Sequence, residues 1–549
     1  MIKRRSSGAN AIPANRDSLP ATQETLIAAL RDPALYPDAS GPLDLLETHI
    51  SYVLLAGSHA YKIKKAVDLG FLDFSTLARR HEFCEEELRL NRRLAPDLYQ
   101  AVVAITGSPE APRLDGTGEA IEYAVQMQRF PQDALLDRQL SEGRLDAAGI
   151  DQLADRLADF HGRIARAPPG TPFGTPQAVW APMAQNFDQL RTLLPDASHA
   201  SRLDQLESWS RQRFSKLNRL LVSRSRAGWV RECHGDLHLG NIARVDRELH
   251  IFDCIEFSPE LRWIDVFSEI AFLVMDLEER GRPDYGRRLL NRYLEATGDY
   301  RGLPLLDFYK VYRALVRAKI CAIRDRQQPS SEPGPQLAGG ERYLDYAAQV
   351  TLPRQPCVLL MHGVAGSGKT WLAGQLLEEL GALRIRSDIE RKRLRGLAPA
   401  ARSHSGVGRG IYDPATNTAT YGQLLELANE ILAADYSLVV DATNLLAWQR
   451  MAFRQLAVMW RVPFVVLACT APPAVLQARI AQRQASGGDA SEADQTVLAH
   501  QMRTCEALSP EEEACCLHID TAAPLPAELQ SRLREITTTG ARRPLENRS

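Results

Sequence analysis

The sequence predicts a multidomain protein in which an α+β segment of two lobes precedes an α/β segment with a parallel sheet. Three observations lead to this expectation. The chain has 549 residues, which is more than one hydrophobic core normally serves. Short strand patterns near the start give way to long amphipathic helices after residue 130. Beyond a stretch rich in Pro, Ser and Gly, short apolar strands alternate with helices, which is the rhythm of parallel βαβ units.

The composition is that of an ordinary folded globular protein. Hydrophobic residues make up 45% of the chain and charged residues 24%, a balance that argues against a disordered or fibrous class. Lys plus Arg number 66 against 68 for Asp plus Glu. The net charge is therefore too small to attract a polyanion or an anionic membrane to the protein as a whole. The nine cysteines form no C-x-x-C pair and no zinc spacing, and we expect reduced thiols. With no signal peptide and no apolar stretch of spanning length, a cytoplasmic protein is expected.

The small lobe is predicted from short β-branched and apolar runs separated by turn residues. Its predicted elements are, in order, strands Ile50–Leu55 and Ala60–Ile63, helix Leu77–Leu94, and strands Val102–Ile105 and Ala120–Met127. Long helices follow, as in Asp146–Ala165 and Ala200–Ser223. The change of pattern places the boundary between the two lobes near residue 130.

The second segment begins after the linker with short strands that alternate with helical stretches. These strands are Val358–Met361, Arg384–Arg386, Leu438–Asp441 and Phe464–Ala468. The predicted parts of the chain are, in order, a flexible start (1–20), a first domain (21–326), a linker (327–355), a second domain (356–535) and a flexible tail (536–549).

A glycine-rich turn follows the first strand of the second domain. Residues 363–370 read GVAGSGKT and match G-x-x-x-x-G-K-[ST] at every fixed position. Glycines let such a loop wrap a phosphate with its N–H groups, while Lys369 neutralises the β and γ oxygens and Thr370 offers its hydroxyl to Mg²⁺. The residues expected to hold ATP and Mg²⁺ here are Gly363, Gly366, Ser367, Gly368, Lys369 and Thr370.

Charged residues near later strand ends complete this second site. Asp388 follows the second strand, where an Asp can accept the proton of an attacking hydroxyl, and Arg391 lies one helical turn on, where it can hold a substrate phosphate. Asp441 ends another strand and is placed like the acid that contacts Mg²⁺ or its waters. Arg479 and Arg483 lie on one helix face and suit a lid over the transferring phosphate.

Residues 357 to about 500 resemble the small P-loop kinases of the polynucleotide-kinase and gluconate-kinase type. The resemblance is carried by GVAGSGKT, by Asp388 with Arg391, by DATN at Asp441 to Asn444 and by the lid arginines. It implies phosphorylation of a hydroxyl with Mg-ATP. The P-loop alone equally fits an ATPase, but no Asp-Glu pair ends the Asp441 strand, and this counts modestly against a motor.

The first domain carries its own candidate site at HGDLHLGN, residues 234–241, followed by IFD at 251–253. In a protein-kinase-type site, one Asp orients the substrate hydroxyl, an Asn five residues later binds Mg²⁺, and a second Asp on the next hairpin chelates metal and phosphate. Asp236, Asn241 and Asp253 fit these roles in order.

The chain from about 45 to 325 resembles the aminoglycoside-phosphotransferase and choline-kinase-like family through these residues. The resemblance implies a Lys and a helix Glu that pair over the ATP phosphates, and Lys62 and Glu87 match best. Lys64 shares the strand face of Lys62 and remains open as the alternative. Two further residues follow from the resemblance: Asp265 as a brace of the catalytic loop, and Glu256 as an extra metal or substrate contact.

Together the two sites predict a bifunctional enzyme that transfers the ATP γ-phosphate to hydroxyl groups of small molecules. Two alternatives stay open: a first domain that only binds nucleotide as a regulator because its covering loop has the single glycine Gly57, and a P-loop domain that acts as an ATPase switch. No membrane partner is expected, and a long nucleic acid is disfavoured by the near-zero net charge. A nucleic-acid end is compatible with a basic run in the second domain, formed by Arg384, Arg386, Arg391, Lys392, Arg393 and Arg395.

Overall fold

A computed structural model describes most of the chain. The described residues are 21–39, 41–70, 72–327, 337–399, 401–403, 405–406, 408–486, 490–524 and 531. The predicted flexible start (1–20), the predicted tail (536–549) and part of the predicted linker (328–336) lie outside them. The chain forms two compact units. Unit 1 comprises Met1–Leu145, Ile164–Ala178 and Ser223–Glu269, and unit 2 comprises Asp146–Arg163, Val179–Val222 and Ile270–Ser549.

The helices and strands are numbered here in chain order. The first are α1 (Ala21–Ala29), β1 (Asp44–Glu47), β2 (Ser51–Ala56), β3 (His59–Lys64), α2 (Leu77–Asn91), β4 (Tyr99–Ser108), β5 (Ala111–Leu114), β6 (Ala120–Gln128), α3 (Leu136–Ser141), α4 (Ala147–Arg163), α5 (Pro176–Leu193), α6 (Ala197–Arg226), β7 (Val230–Glu232), β8 (Ile242–Val245), β9 (Glu248–Ile251), α7 (Pro259–Arg262) and β10 (Trp263–Asp265). These elements include every strand and helix that we predicted for the small lobe, and the structure confirms them.

The remaining elements all reach into unit 2. They are α8 (Val266–Glu279), α9 (Pro283–Thr297), α10 (Leu306–Gln327), α11 (Leu337–Val350), β11 (Val358–His362), α12 (Lys369–Leu380), β12 (Leu383–Arg386), α13 (Ser387–Leu394), α14 (Pro414–Ala433), β13 (Leu438–Asp441), α15 (Ala447–Trp460), β14 (Phe464–Thr470), α16 (Pro473–Ser486), α17 (Gln495–Thr504), α18 (Pro510–Glu513) and β15 (Cys516–Asp520). Short 3-10 turns occur at Pro33–Leu35, Gln132–Ala134, Leu239–Asn241, Tyr300–Leu305 and Gly410–Tyr412.

Unit 1 contains a six-stranded sheet in the order β1-β2-β3-β6-β4-β5, and every pairing in it is antiparallel. A tight turn at Gly57 and Ser58 joins β2 to β3. Gly57 has φ of 55° there, and a Cβ atom at this position would lie 2.6 Å from Asp38, so the turn requires glycine. Alternating buried side chains of β2 and β3 pack against Leu26 of α1 and Leu30 just after it.

Two small two-stranded sheets of unit 1 hold the predicted catalytic segment. β7 pairs antiparallel with β10, and β8 pairs antiparallel with β9. The pairing of Ile242 with Ile251 brings the residues just before β8 beside the residues just after β9. Asn241 and Asp253 thus lie at neighbouring ends of the β8–β9 hairpin, and their shared role in one site stays a prediction.

Unit 2 contains a five-stranded parallel sheet in the order β12-β13-β11-β14-β15. The apolar residues of its central strands are buried on both faces, as a parallel sheet requires. Leu359, Met361, Val439 and Leu467 form its core with Leu372 of α12. β12 is an edge strand, and its C-terminal end leads directly into α13.

Helices from the middle of the chain belong to the same unit as this sheet. α11 lies within the segment that we predicted as a linker, and it packs along α10. Its helical pattern begins after residue 336 and includes Tyr343, Leu344 and Ala347, which are buried. The domain boundaries themselves stay a prediction. None of the helices in the described part of the chain is both long and apolar enough to span a bilayer.

Candidate active sites

The first candidate site lies in unit 1 and centres on Lys62 of β3. Its Nζ lies 2.8 Å from Glu87 Oε1 and 2.6 Å from Asp253 Oδ1. Glu87 is fully buried on α2, whereas half of the Asp253 side chain is exposed. Burial opposes charging of Lys62, but the carboxylates of Asp253 and Glu87 raise its pKa well above the ordinary value. Lys62 therefore presents a fixed positive charge beside Asp253.

Lys64 occupies a different position from Lys62, although both lie on the same face of β3. Its side chain is completely buried and its Nζ lies 2.7 Å from Glu87 Oε2. It also forms an ion pair with Glu256. Burial alone would raise the pKa of Glu87, but the two lysines lower it to about 2. Glu256, which we expected as a metal or substrate contact, is 4% exposed and taken up by Lys64.

The loop that carries Asp236 is held by hydrogen bonds to Glu269 of α8. Glu269 Oε2 accepts hydrogen bonds from the backbone N–H groups of His234 and Gly235, both at 2.8 Å. The sequence analysis assigned this brace to Asp265. Asp265 instead pairs with Arg224 at 2.7 Å and accepts from the N–H of Phe267, so the role of loop brace passes to Glu269.

Asp236, Asn241 and Asp253 converge at the end of the β8–β9 hairpin. Asn241 Nδ2 donates to the Asp236 backbone oxygen at 3.0 Å and to Asp236 Oδ2 at 3.3 Å. Phe252, the residue before Asp253, donates its N–H to the Asn241 backbone oxygen at 3.0 Å. Asp253 has φ of 63°, and its N–H is bound by the Tyr99 hydroxyl at 3.2 Å. The turn that aims Asp253 is thus held by a buried side chain of β4.

These three residues fit a magnesium site in their chemistry. Carboxylate and amide oxygens are the ligands that Mg²⁺ prefers. The amide nitrogen of Asn241 donates to Asp236, so its amide oxygen is the atom that would be offered to a cation. Asp253 supplies an exposed carboxylate next to the Lys62 ammonium group. A cation on this carboxylate and the ammonium group would then both lie beside the phosphates of a bound triphosphate.

The second candidate site lies in unit 2 at the turn between β11 and α12. Gly363, Gly366 and Gly368 have φ of 140°, 80° and 83°, conformations that only glycine adopts without strain. Added Cβ atoms would lie 2.5 to 2.8 Å from Cys469, Leu476 and Thr521 in turn. Ser367 is completely buried in this loop. The glycines are thus required both by conformation and by close packing.

Lys369 folds back over its own loop. Its Nζ donates to the Val364 backbone oxygen at 2.7 Å and lies 3.4 Å from Ser367 Oγ. Burial lowers the pKa of Lys369, and the carboxylate of Asp441 opposes this shift. An ATP phosphate would supply the negative charge that this buried ammonium group needs.

Thr370 and Asp441 form the part of this site that suits a magnesium ion. Thr370 Oγ1 donates to Asp441 Oδ1 at 3.3 Å. Asp441 is 6% exposed, and its Oδ2 makes no hydrogen bond within the described residues, although Arg386 Nε lies 3.6 Å away. Burial raises the pKa of Asp441. A buried carboxylate oxygen without a hydrogen bond fits a bound cation or its water.

Asp388 and Arg391 lie together at the start of α13. Arg391 Nη1 donates to Asp388 Oδ1 at 2.7 Å, and the Arg391 guanidinium lies 4.9 Å from the centre of the Tyr412 ring. Arg391 is 7% exposed, and its Nε has no hydrogen-bond partner among the described residues. The pair sits where β12 ends, at the strand edge where ligands of a parallel sheet bind.

The two arginines that we expected in a lid make different contacts in the structure. Arg479 donates to the Gly366 backbone oxygen at 3.2 Å and to Thr521 Oγ1 at 2.9 Å, so it touches the phosphate-binding turn. Arg483 donates to the Ala493 backbone oxygen at 2.8 Å, which ties it to the segment before α17.

The sequence analysis missed Gln501 of α17. Its Oε1 accepts the N–H of Ala365 in the phosphate-binding turn at 2.7 Å. Leu498, one helical turn earlier, packs with Ala365, Leu476 and Ile480. A glutamine 136 residues downstream belongs to no motif that would indicate this contact, and only the packing of α17 on the turn reveals it.

The basic run of the second domain does not form an unpaired positive surface. Each of its six cations lies within 4 Å of a carboxylate. The pairs are Arg384 with Glu295, Arg386 with Asp441, Arg391 with Asp388, Lys392 with Glu492, Arg393 with Glu390, and Arg395 with Asp413. Polyanion binding relies on cations that phosphates can neutralise, so the run gives little support to a nucleic-acid partner.

Comparisons with known proteins find a family match over each of the two segments that carry the candidate sites. The model of the Phosphotransferase enzyme family matches residues 70–306, and a model described as AAA domain matches residues 358–508. Uncharacterized proteins of Mycobacterium tuberculosis and Mycobacterium bovis are 32% identical to the chain over 450 residues, which is 82% of this chain and 88% of theirs.

Two solved structures that the chain matches are kinases by their descriptions. A choline/ethanolamine kinase family protein from Mesorhizobium loti is 13% identical, with a TM-score of 0.36, and the match covers 60% of this chain and 93% of that one. A gluconokinase from Sinorhizobium meliloti is 22% identical, with a TM-score of 0.22, and the match covers 34% of this chain and 94% of that one. The chain belongs to the family of the mycobacterial proteins, and it consists of a kinase-like phosphotransferase segment followed by a P-loop kinase segment with a parallel sheet.

Proposed function

We propose that this protein is an ATP-dependent phosphotransferase with two active sites, each of which transfers the γ-phosphate to a hydroxyl group of a small molecule. The observation that carries the proposal is the convergence of two complete residue sets. One contains Lys62, Asp236 and Asp253, and the other contains Lys369 and Asp441.

In the first site, Asp236 accepts or orients the proton of the acceptor hydroxyl. Its carboxylate is about one third exposed and contacts Asn241, so it is open to a substrate yet fixed in position. Asn241 and Asp253 hold Mg²⁺, which neutralises charge on the transferring phosphoryl group. Lys62, fixed by Glu87, binds the α and β phosphates. The buried position of Lys64 supports the choice of Lys62 for this role.

In the second site, the turn from Gly363 to Thr370 binds the ATP phosphates, and Thr370 with Asp441 holds Mg²⁺ or its waters. Asp388 takes the proton of the second acceptor. Arg391, with a buried Nε that no described group satisfies, binds an anionic group of that acceptor. Arg479, which contacts Gly366 of the turn, lies beside the phosphates. Arg483 holds the segment before α17 through Ala493.

The acceptors are proposed to be small molecules at both sites. The near-zero net charge of the chain supports this choice over a long nucleic acid. At the first site, Asp253 is half exposed whereas Glu256 is buried. Of these two carboxylates, Asp253 is therefore the one that is accessible to the metal.

The test is to incubate the full chain with Mg-ATP and a metabolite extract and to find by mass spectrometry which species gain a phosphoryl group. Asp236→Asn should remove one set of products and Lys369→Ala a different set, each by roughly 10²- to 10⁴-fold. Asp246→Asn is the matched control, because Asp246 lies in a hairpin turn with φ of 49°, a conformation that Asn tolerates.

If neither variant changes the yield of any product, the proposal fails. Loss of all products with Lys369→Ala alone would instead assign the first site to nucleotide sensing. ATP consumption without any phosphorylated product, abolished by Lys369→Ala, would identify an ATPase switch.

A further inference from the structure

The edge strand β12 is covered by helix α9 rather than by another strand. β12 pairs on one side with β13, and there Leu383 donates its N–H to Ser437. The next N–H, that of Arg384, points to the opposite side and donates to Asn291 Oδ1 of α9 at 2.8 Å. Asn291 thus supplies the acceptor that a neighbouring strand would otherwise provide.

The side chain of Arg384 is held by the same helix. Its Nε and its Nη2 each lie 2.9 Å from Glu295 Oε1. Asn291 Nδ2 donates to the same oxygen at 2.9 Å. Asn291 and Glu295 are 2% and 3% exposed. These contacts fix both the backbone and the side chain of β12 with buried groups, which have few alternative partners.

The helix ends in this region stabilise one another. Arg287 of α9 donates to the backbone oxygens of Glu378 and Glu379 at the C-terminal end of α12, at 2.7 Å and 3.1 Å. Arg393 of α13 donates in turn to the Glu295 backbone oxygen near the C-terminal end of α9. A cation at a helix C-terminus satisfies free carbonyl groups and interacts favourably with the helix dipole. α9 is therefore fastened to α12, β12 and α13.

These three elements carry the residues of the second site. α12 begins with Lys369 and Thr370, and β12 leads directly into Asp388 and Arg391 of α13. We propose that α9 positions this site, with Asn291 and Glu295 as positioning residues that act through β12. The catalytic part of this inference rests on the proposed function of the P-loop turn. α9 lies within the residues matched by the phosphotransferase family, so the second site depends on a helix of the first family segment.

The size of the effect follows from geometry. A misplacement of about 1 Å between a reacting hydroxyl and its base costs on the order of 10²-fold in rate. Removal of Asn291 or of the Glu295 charge lets the start of α13 shift relative to Asp441. Turnover then falls, while ATP still binds to the turn.

The experiment uses the full chain with Asn291→Ala and Glu295→Gln, and Arg292→Ala as control. Arg292 lies on the same helix, but it is exposed and pairs with Asp155 at 2.7 Å. Both variants should lower kcat of the Lys369-dependent transfer by roughly 10- to 100-fold, with KM for ATP changed less than about threefold. Amide exchange of residues 383–394 should accelerate about tenfold, and the Asp236-dependent transfer should keep its rate. The control should change none of these.

The positioning role of α9 is refuted if amide exchange over residues 383–394 is unaltered in the variants. It is also refuted if the Lys369-dependent and the Asp236-dependent transfer fall together with the melting temperature, since that would indicate a general loss of stability. If the unaltered protein shows no Lys369-dependent transfer, the proposed function fails. The exchange measurement alone then decides the positioning role of α9.

Discussion

At the scale of single residues, two lysines on one strand show how burial separates roles that a sequence pattern leaves open. Lys62 keeps 12% of its side chain exposed and faces the half-exposed Asp253. Lys64 is completely buried and neutralises Glu87 and Glu256. The first is available to a ligand, and the second compensates carboxylates that would be costly to bury alone.

Lys62→Met and Lys64→Met are therefore expected to have opposite signatures. Lys64→Met leaves the buried Glu256 without its partner and takes one of two lysines from Glu87, and it should lower the free energy of unfolding by about 3–5 kcal/mol. Lys62→Met should cost about 1 kcal/mol, because Glu87 keeps Lys64, yet it should reduce the first transfer about 10²- to 10³-fold. Urea denaturation and the Asp236-dependent rate measure the two effects. Equal destabilisation by both changes would contradict this assignment.

The residues of both sites could be proposed from the sequence where a short motif binds phosphate or metal through neighbouring positions. Lys369 and Thr370 lie within eight residues of Gly363, and Asp236 and Asn241 lie five apart. Glu269, Gln501 and Asn291 could not be proposed, because each acts on a loop or strand through a contact made only after folding. Their partners lie 34 to 136 residues away.

At the scale of elements, two glycines of unit 2 each end a helix next to an arginine side chain. Gly298 follows α9 with φ of 73°, and an added Cβ would lie 3.1 Å from Arg393 Cζ. Gly381 follows α12 with φ of 69°, and an added Cβ would lie 3.0 Å from Arg287 Nε. Both glycines end a helix in the left-handed conformation and leave room for a guanidinium group.

Gly298→Ala tests these two contributions when it is compared with Gly281→Ala. Gly281 also has a left-handed backbone, with φ of 80°, but no atom lies within 4 Å of an added Cβ. Gly281→Ala should cost about 1 kcal/mol through the backbone alone. Gly298→Ala should cost about 2–3 kcal/mol, since Arg393 must also move away from α9. Thermal denaturation of both variants gives the difference, and equal losses would show that Arg393 adjusts without cost.

The strands of both sheets were predictable because their apolar periodicity is local. Val358–Met361 and Leu438–Asp441 read as short buried runs between turn residues, and they form neighbouring strands. The order of the strands and the cover of β12 by α9 depend on contacts between distant segments. Helix α11 went unpredicted because Pro and Gly residues just before it suggested a continuous linker.

At the scale of the whole molecule, the helical region and the parallel sheet of unit 2 share a network of polar contacts. Arg354, in the segment before β11, makes two hydrogen bonds to Asp307 of α10, both at 2.8 Å. Its guanidinium lies 4.3 Å from the centre of the Tyr436 ring, and the Tyr436 hydroxyl donates to Asp307 at 3.1 Å. Burial opposes ionisation of Asp307, but Arg354 and Lys310 lower its pKa. Arg354, which follows residue 352, and Asp307, which precedes it, therefore neutralise each other.

A fragment of residues 353–549 is accordingly expected to be less stable than the same residues in the full chain. It loses Asp307 from the exposed Arg354 and Glu295 from the largely buried Arg384. Loss of the partner of a buried charge costs about 3–5 kcal/mol, which lowers the melting temperature by roughly 10 °C. Co-expression with residues 1–352 should restore stability, since the cut after the exposed Leu352 spares every element. Differential scanning calorimetry of the fragment, the reassociated pair and the full chain measures this. A fragment that melts cooperatively at the temperature of the full chain would mean that the parallel sheet holds its second site without the helices.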